Sequence, residues 1–249
     1  MKSLLLYFLM LGCIPLMAQN EALFEEANAN YNDGNYQEAL ENYQQILTNG
    51  ETSAALYFNL ANAHYKLNNI APGVYYYEKA LQLKPNDKDI ENNLEFARNM
   101  VIDDIEEIPE TGLSKMFNNT ISKLSFDGWG WMAIVSSIIF AILFLLYYFS
   151  AGTKFKRLFF GVSMLFLIVS LGSVGFAYQQ QLSIQNSQYA IIFSEEVPVR
   201  SEPNLRSDEL FLLHEGTKLK VLETFQDWIM LELSNGAQGW ITKNEVRFL

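Results

Sequence analysis

The chain carries a single cysteine, Cys13, and two histidines, His64 and His214, in 249 residues. One cysteine excludes an intrachain disulfide. The histidines lie far apart, and there is no His-Glu-x-x-His, phosphate loop or dinucleotide fingerprint. No metal cluster, cofactor cradle or nucleophile with its base can be assembled from what is left, so no catalytic residue, metal ligand or cofactor is expected. His64 reads as a packing residue within a helix and His214 as a loop residue. Positive charge is also scarce, with 17 Lys and Arg against 28 Asp and Glu and a net charge of −11. Such a balance does not attract nucleic acid or an anionic membrane surface, and the acidic side chains read as solvated faces.

Charge of either sign is missing altogether from two runs, Trp129–Phe149 and Leu158–Tyr178, each 21 residues long. A helix rising about 1.5 Å per residue needs about 20 residues to cross the hydrocarbon of a bilayer, so both read as spanning helices. Phe126, Trp129 and Trp131 stand at one end and Tyr147, Tyr148, Phe149 and Phe155 at the other, where interfacial anchors belong, and Tyr178 closes the second span. Ala133, Ser137 and Ala141 offer a small-residue row on the first helix, and Gly161, Ser170, Ser173 and Ala177 small surfaces on the second. Without an ionisable group in either span there is no proton relay or ion path. The link, residues 150–157, contains Lys154, Lys156 and Arg157, which places it in the cytoplasm by the retention of basic loops. The flanks are acidic, 18 against 8 before the hairpin and 10 against 6 after it. Both are therefore expected outside the cytoplasm.

The amino terminus agrees with export. Lys2 precedes an apolar stretch from Leu4 to Leu16, and Ala18-Gln19 is a cleavage point, so residues 1–18 read as a signal peptide. Met10-Leu11-Gly12-Cys13 offers the competing reading of a lipoprotein site.

A shift of 34 residues superposes Phe24 on Phe58, Ala27 on Ala61, Asn28 on Asn62, Ala29 on Ala63, Tyr31 on Tyr65, Asn35 on Asn69, Tyr43 on Tyr77 and Leu47 on Leu81. That period, with small residues at Ala27 and Ala61 and aromatics at Tyr43 and Tyr77, resembles the tetratricopeptide repeat, a helix–turn–helix unit. Gly73 replaces the second-helix alanine present as Ala39. Asp87 caps a further helix carrying Ile90, Leu94 and Ala97, so residues 19–101 are expected to hold two repeats and a capping helix. About three repeats are usually required for stability, and this segment is therefore expected to form a homo-oligomer or to dock on a partner. Phe24, Asn28 and Tyr31 share one helix face, repeated as Phe58, Asn62 and Tyr65. In tetratricopeptide proteins that face lines a concave peptide-binding groove, with Lys66 the nearby cation here; the alternative is that these aromatics only pack between repeats.

Residues 102–128 read as an acidic linker, Asp103 to Glu110, and then an amphipathic helix with Leu113, Phe117, Ile121 and Leu124 on one face and Lys115 and Lys123 elsewhere on the wheel. This helix either lies in the headgroup region or packs as an ordinary surface helix.

Beyond Tyr189 the pattern turns to short alternating strands: Lys218–Leu222, Trp228–Leu233 and Gln238–Ile241, the last two joined through Asn235-Gly236, whose residues both accept a positive φ. A small closed β-barrel is expected. Val199-Arg200-Ser201-Glu202-Pro203, Glu215-Gly216-Thr217, Trp228 with Leu231, and Gly236-Ala237-Gln238-Gly239-Trp240-Ile241 together resemble the bacterial SH3 (SH3b) domain over 188–249, with Glu202 where that family has glycine. The resemblance implies a ligand surface for cell-wall or protein peptides, here Arg200 and Trp240, and a core role for Trp228.

The expected fold is thus a multidomain membrane protein: all-α tetratricopeptide repeats, a two-helix transmembrane hairpin at 129–178, and a C-terminal small all-β SH3b barrel. In this order the modules resemble the BatE-type proteins of the Bat aerotolerance operons, as do Asn59 to Ile70 and Tyr75 to Leu81. That resemblance implies a non-enzymatic scaffold in the bacterial inner membrane, both modules periplasmic, working beside membrane proteins with von Willebrand factor A domains and a MoxR-type AAA+ ATPase. A peptidoglycan sensor acting through the barrel is the alternative.

Overall fold

The structure, a computed structural model, describes residues 19–106, 112, 116, 120–186 and 188–249. The export segment with Cys13, and Leu113, Lys115 and Phe117 of the amphipathic helix, lie outside the described residues. The chain forms two compact units, one from residues up to Ile108 together with Gln188–Leu249, the other from Pro109–Ser187.

The first unit opens with five helices: α1 (residues 19–32), α2 (Tyr36–Thr48), α3 (Ala54–Lys66), α4 (Ile70–Leu83) and α5 (Lys88–Arg98). The 34-residue period governs the connections as well as the helices. Gly34 and Asn68, related by that shift, both turn the chain in the left-handed region, at φ of 85° and 60°. Glycine and asparagine are the residues that tolerate it. Ser53 and Asp87, related likewise, are both N-caps: the Ser53 hydroxyl accepts from the Leu56 amide at 3.1 Å, and Asp87 accepts from Asp89 and Ile90 at 3.0 and 3.3 Å. Each cap satisfies helix-terminal donors that would otherwise go unpaired. Ala27, Ala61 and Ala39 are fully buried where helices approach, and Gly73, at the place of Ala39, leaves room for a methyl group at ordinary contact distance.

The C-terminal part is seven antiparallel strands: β1 (Gln188–Ile192), β2 (Glu196–Arg200), β3 (Glu209–His214), β4 (Lys218–Phe225), β5 (Trp228–Glu232), β6 (Gln238–Thr242) and β7 (Val246–Phe248). They form one sheet in the order β3-β2-β6-β5-β4-β1-β7, open at β3 and β7. The small all-β domain is as expected, but its sheet does not close. Alternation sets the core: Val197 and Val199, Ile229 and Leu231, and Ile241 point inward with Ile192, Leu213 and Leu219. Trp228 is therefore half-buried on the outer side, contrary to the expected core role, because its neighbour Ile229 takes the inward position. The β5–β6 connection is also longer than a two-residue turn. Leu233 N–H donates to the Ala237 carbonyl at 2.9 Å, only Gly236 has a positive φ (81°), and the Asn235 side chain accepts from the Ala237 amide at 3.0 Å.

The two flanks of the hairpin share a core. Ile191 of β1 is fully buried among Ala71, Val74, Tyr77 and Ala97 of the last helices. The apolar surface that two repeats leave uncovered, for which a second copy or a partner was expected, is thus covered by the chain's own β domain. Nor is the acidic stretch after α5 a solvated linker at its start, since Asp103 is bonded to the turn between β3 and β4 and Ile105 packs on the β-domain core.

The second unit holds α6 (Phe126–Phe149) and α7 (Thr153–Asn186), antiparallel and in contact along their length. Both are long and apolar enough to cross a bilayer, over Phe126–Phe149 and Thr153–Leu182. The small rows meet in part: Ser137 and Ser170 share a hydrogen bond at 2.8 Å and Ser170 also donates to the Ala133 carbonyl at 3.2 Å, whereas Ala141 and Gly161 are exposed. Helix α7 begins earlier than the charge pattern suggests, so Lys154, Lys156 and Arg157 stand on its first turns and the loop shrinks to 150–152. It also runs past Tyr178 through the polar Gln179 to Gln181. Trp129 is buried against Phe176 and donates its indole N–H to the Ile121 carbonyl at 2.9 Å, so it packs within this unit, whereas Trp131 and Phe126 remain exposed.

Candidate functional site

The face named from the repeat is built twice by the same local rules. Tyr43 donates its hydroxyl to the Asn28 amide oxygen at 2.7 Å, and Tyr77 does the same to Asn62 at 2.6 Å. Phe24 lies against Tyr43 and Phe58 against Tyr77, with ring centroids 5.8 and 5.9 Å apart. Burial first of all pushes the Tyr43 hydroxyl up to about 12 and raises that of Tyr77 further, so both remain donors at any physiological pH. An asparagine whose oxygen is engaged in this way is left with its NH₂ to offer a peptide carbonyl. Tyr31 packs edge-on to Tyr36 at 5.2 Å, Tyr65 is half-buried, and Lys66 is exposed. Tyr43 and Tyr77 are fully buried, while Phe24, Tyr31, Phe58 and Tyr65 stand half-buried.

Two further residues belong to this face. Asn59 donates to the Asn28 oxygen at 2.9 Å, joining α1 to α3. Phe96, one repeat period beyond Asn62, stands 59% exposed on α5. The shift of 34 that pairs Asn28 with Asn62 points to Phe96 as well; nothing in the sequence marks Asn59.

In the β domain, Arg200 and Trp240 are paired across β2 and β6, and Trp240 is paired in turn with Met230 on β5. The Arg200 guanidinium donates to the Ser207 carbonyl at 2.9 Å and to Glu209 at 3.1 Å. Trp240 is half-buried. The loop after Arg200 accommodates Glu202 through its own bonds, Ser207 donating to the Glu202 carbonyl at 2.9 Å.

Two acidic residues form the seam between helices and strands. Asp103 accepts from the His214 amide (2.7 Å), the His214 ring Nδ1 (2.7 Å) and the Thr217 hydroxyl (2.5 Å). Burial pushes its carboxyl up, but the bonds from Thr217 and His214 outweigh that and hold it below the ordinary aspartate range. His214, expected in a loop, ends β3 and is tied here. Glu78 is buried with Arg98 and Lys218, each at 2.7 Å. Neither acid is a solvated face. Among the described residues no three acidic, histidine or cysteine side chains are gathered as metal ligands would be.

Residues 54–87 match the family model described as tetratricopeptide repeat. This segment contains α3, α4 and the capping aspartate Asp87. No curated protein matches the chain. Repeats of this kind are typically non-catalytic protein-interaction modules, and two apolar helices of spanning length suggest association with a membrane.

Proposed function

We propose that this chain is a non-enzymatic, membrane-anchored scaffold that holds an extended protein segment in the groove of Phe24, Asn28, Tyr31, Phe58, Asn62, Tyr65 and Lys66. The observation that carries the reading is the repeated Asn–Tyr pair, Asn28 with Tyr43 and Asn62 with Tyr77, which sets two asparagine NH₂ groups on equivalent faces of consecutive repeats. The resemblance to BatE-type proteins supports a Bat-type aerotolerance complex as the setting, with von Willebrand factor A membrane proteins and a MoxR-type ATPase as partners. A core shared by the flanks supports placing both in one compartment, and the basic start of α7 supports the periplasm of the inner membrane as that compartment. The β domain is read as SH3b-like. In native membranes, Asn62→Asp or Tyr65→Ala is expected to lower crosslinked partner at least tenfold; an unchanged yield counts against the groove.

The half-exposed Trp240 beside Arg200 favours a second reading, a peptidoglycan sensor. Retention of the full chain on purified sacculi, lost on Trp240→Ala, would support it. Absence of retention at low salt removes it.

A further inference from the structure

About 100° round α3 from the groove residues, a second surface runs across the seam between repeats and strands. It is a continuous array of rings. Tyr57 stacks on Tyr76 at 6.0 Å, Tyr76 meets Tyr75 edge-on at 5.2 Å, and Tyr75 meets Phe193, just past β1, at 5.7 Å. Two cations lie on it: Arg247 of β7, 4.2 Å from the centre of the Phe193 ring, and Lys79 of α4, 5.6 Å from that of Tyr75. Arg247 is exposed. Rings are the partners of both cations; neither makes an ion pair among the described residues, although the chain has 28 acidic side chains against 17 basic ones. The carboxylates nearest to them in sequence are already engaged, Glu78 by Arg98 and Lys218, Glu245 by Ser194 and Thr242.

A guanidinium or an ammonium over a ring face keeps its outer donors for an anion, and the rings beside it offer flat apolar area. We propose that this seam is a second protein-docking surface, which takes an acidic segment of a partner: its carboxylates are received by Arg247 and Lys79, and its aromatic or apolar side chains lie on the tyrosines. Charge complementarity chooses this occupant. A basic segment would meet two cations, and an uncharged one would leave both without an anion. Since α3 and α4 come from one flank of the hairpin and Phe193 and Arg247 from the other, the surface exists only when the two flanks are joined. A partner bound here would therefore stabilise the joined state by mass action.

The test uses the full chain in nanodiscs of uncharged phosphatidylcholine and two fluorescein-labelled peptides, Glu-Glu-Phe-Glu-Glu-Phe and Lys-Lys-Phe-Lys-Lys-Phe, read by anisotropy. The acidic peptide is expected to bind saturably and more weakly as salt rises. Arg247→Glu is expected to weaken it at least tenfold and Lys79→Gln severalfold, with Asn62→Asp, in the groove, leaving it unchanged. No saturable binding of the acidic peptide, equal binding of the basic one, or unchanged affinity in a folded Arg247→Glu chain overturns the proposal. If Arg247→Glu does not fold, unchanged affinity in Lys79→Gln overturns it equally.

Discussion

His64 is a histidine that the fold keeps without charge. It is 6% exposed, its ring lies parallel to Tyr76 at 5.5 Å, and its Nδ1 faces the Asn69 amide at 3.2 Å. With Nδ1 accepting, the proton sits on Nε2, which is buried with no acceptor. Burial first, then the charge of Arg247, lowers its pKa from 6.5 to about 4. A histidine so depressed stabilises the fold fully above about pH 6.5, and that contribution is lost as pH falls toward 4, where the unfolded chain takes up the proton first. A shift of this size corresponds to about 3–4 kcal/mol, of which about 3 kcal/mol is lost by pH 4. His64→Phe, which keeps the stack on Tyr76, is expected to lose less stability than wild type by about that amount between pH 7 and 4, measured by denaturant unfolding. Equal slopes for the two proteins would show that His64 is not the titrating group. The packing role of His64 could be read from the helical pattern around it. The ties of Asp103 could not, because its partners His214 and Thr217 lie more than a hundred residues away, a separation on which local spacing carries no information.

Among the elements, the turn between β3 and β4 is the most constrained by its surroundings. Gly216 has a φ of 85°, and a Cβ placed there would come within 2.8 Å of Val101 and 2.9 Å of Ile70. Glycine thus serves the turn and the approach of helices to strands at once. Gly216→Ala is expected to destabilise the first unit by about 2–4 kcal/mol, seen as a lower denaturant midpoint. A change below 0.5 kcal/mol, about the size seen at ordinary surface sites, would mean that the helices and strands do not approach so closely. The sequence pattern shows Glu215-Gly216-Thr217 as a turn and nothing of its second task. The helices were legible from the periods of 34 and 3.6 and β4, β5 and β6 from their alternation, while β1, β2, β3 and β7 were not legible as strands. The open sheet was not, because closure depends on long-range pairing of β3 and β7, and the outward turn of Trp228 was hidden by its resemblance to a core tryptophan.

At the scale of the molecule, the helices and the strands stand or fall together. Val74, Ala71 and Ala97 find their cover in Ile191, so a fragment of residues 19–106 would expose that surface to water. Such a fragment is expected to melt without a cooperative transition, and addition of a separate 188–249 fragment to restore one. Cooperative melting of 19–106 alone, unaffected by the added strands, would contradict the shared core. The sequence displays both flanks and the hairpin between them; that the flanks need one another is visible only in the packing.

The interruption of one core by a hairpin also sets a timetable. When the ribosome has finished residue 106, another 143 residues must follow before Leu249 is reached. At roughly 5–20 residues per second this is a wait of about 7–30 s. During that interval the nascent helices are open to proteases and chaperones, and a defect in placing either apolar helix in the bilayer would be felt first as the loss of the fold that the helices and strands build together.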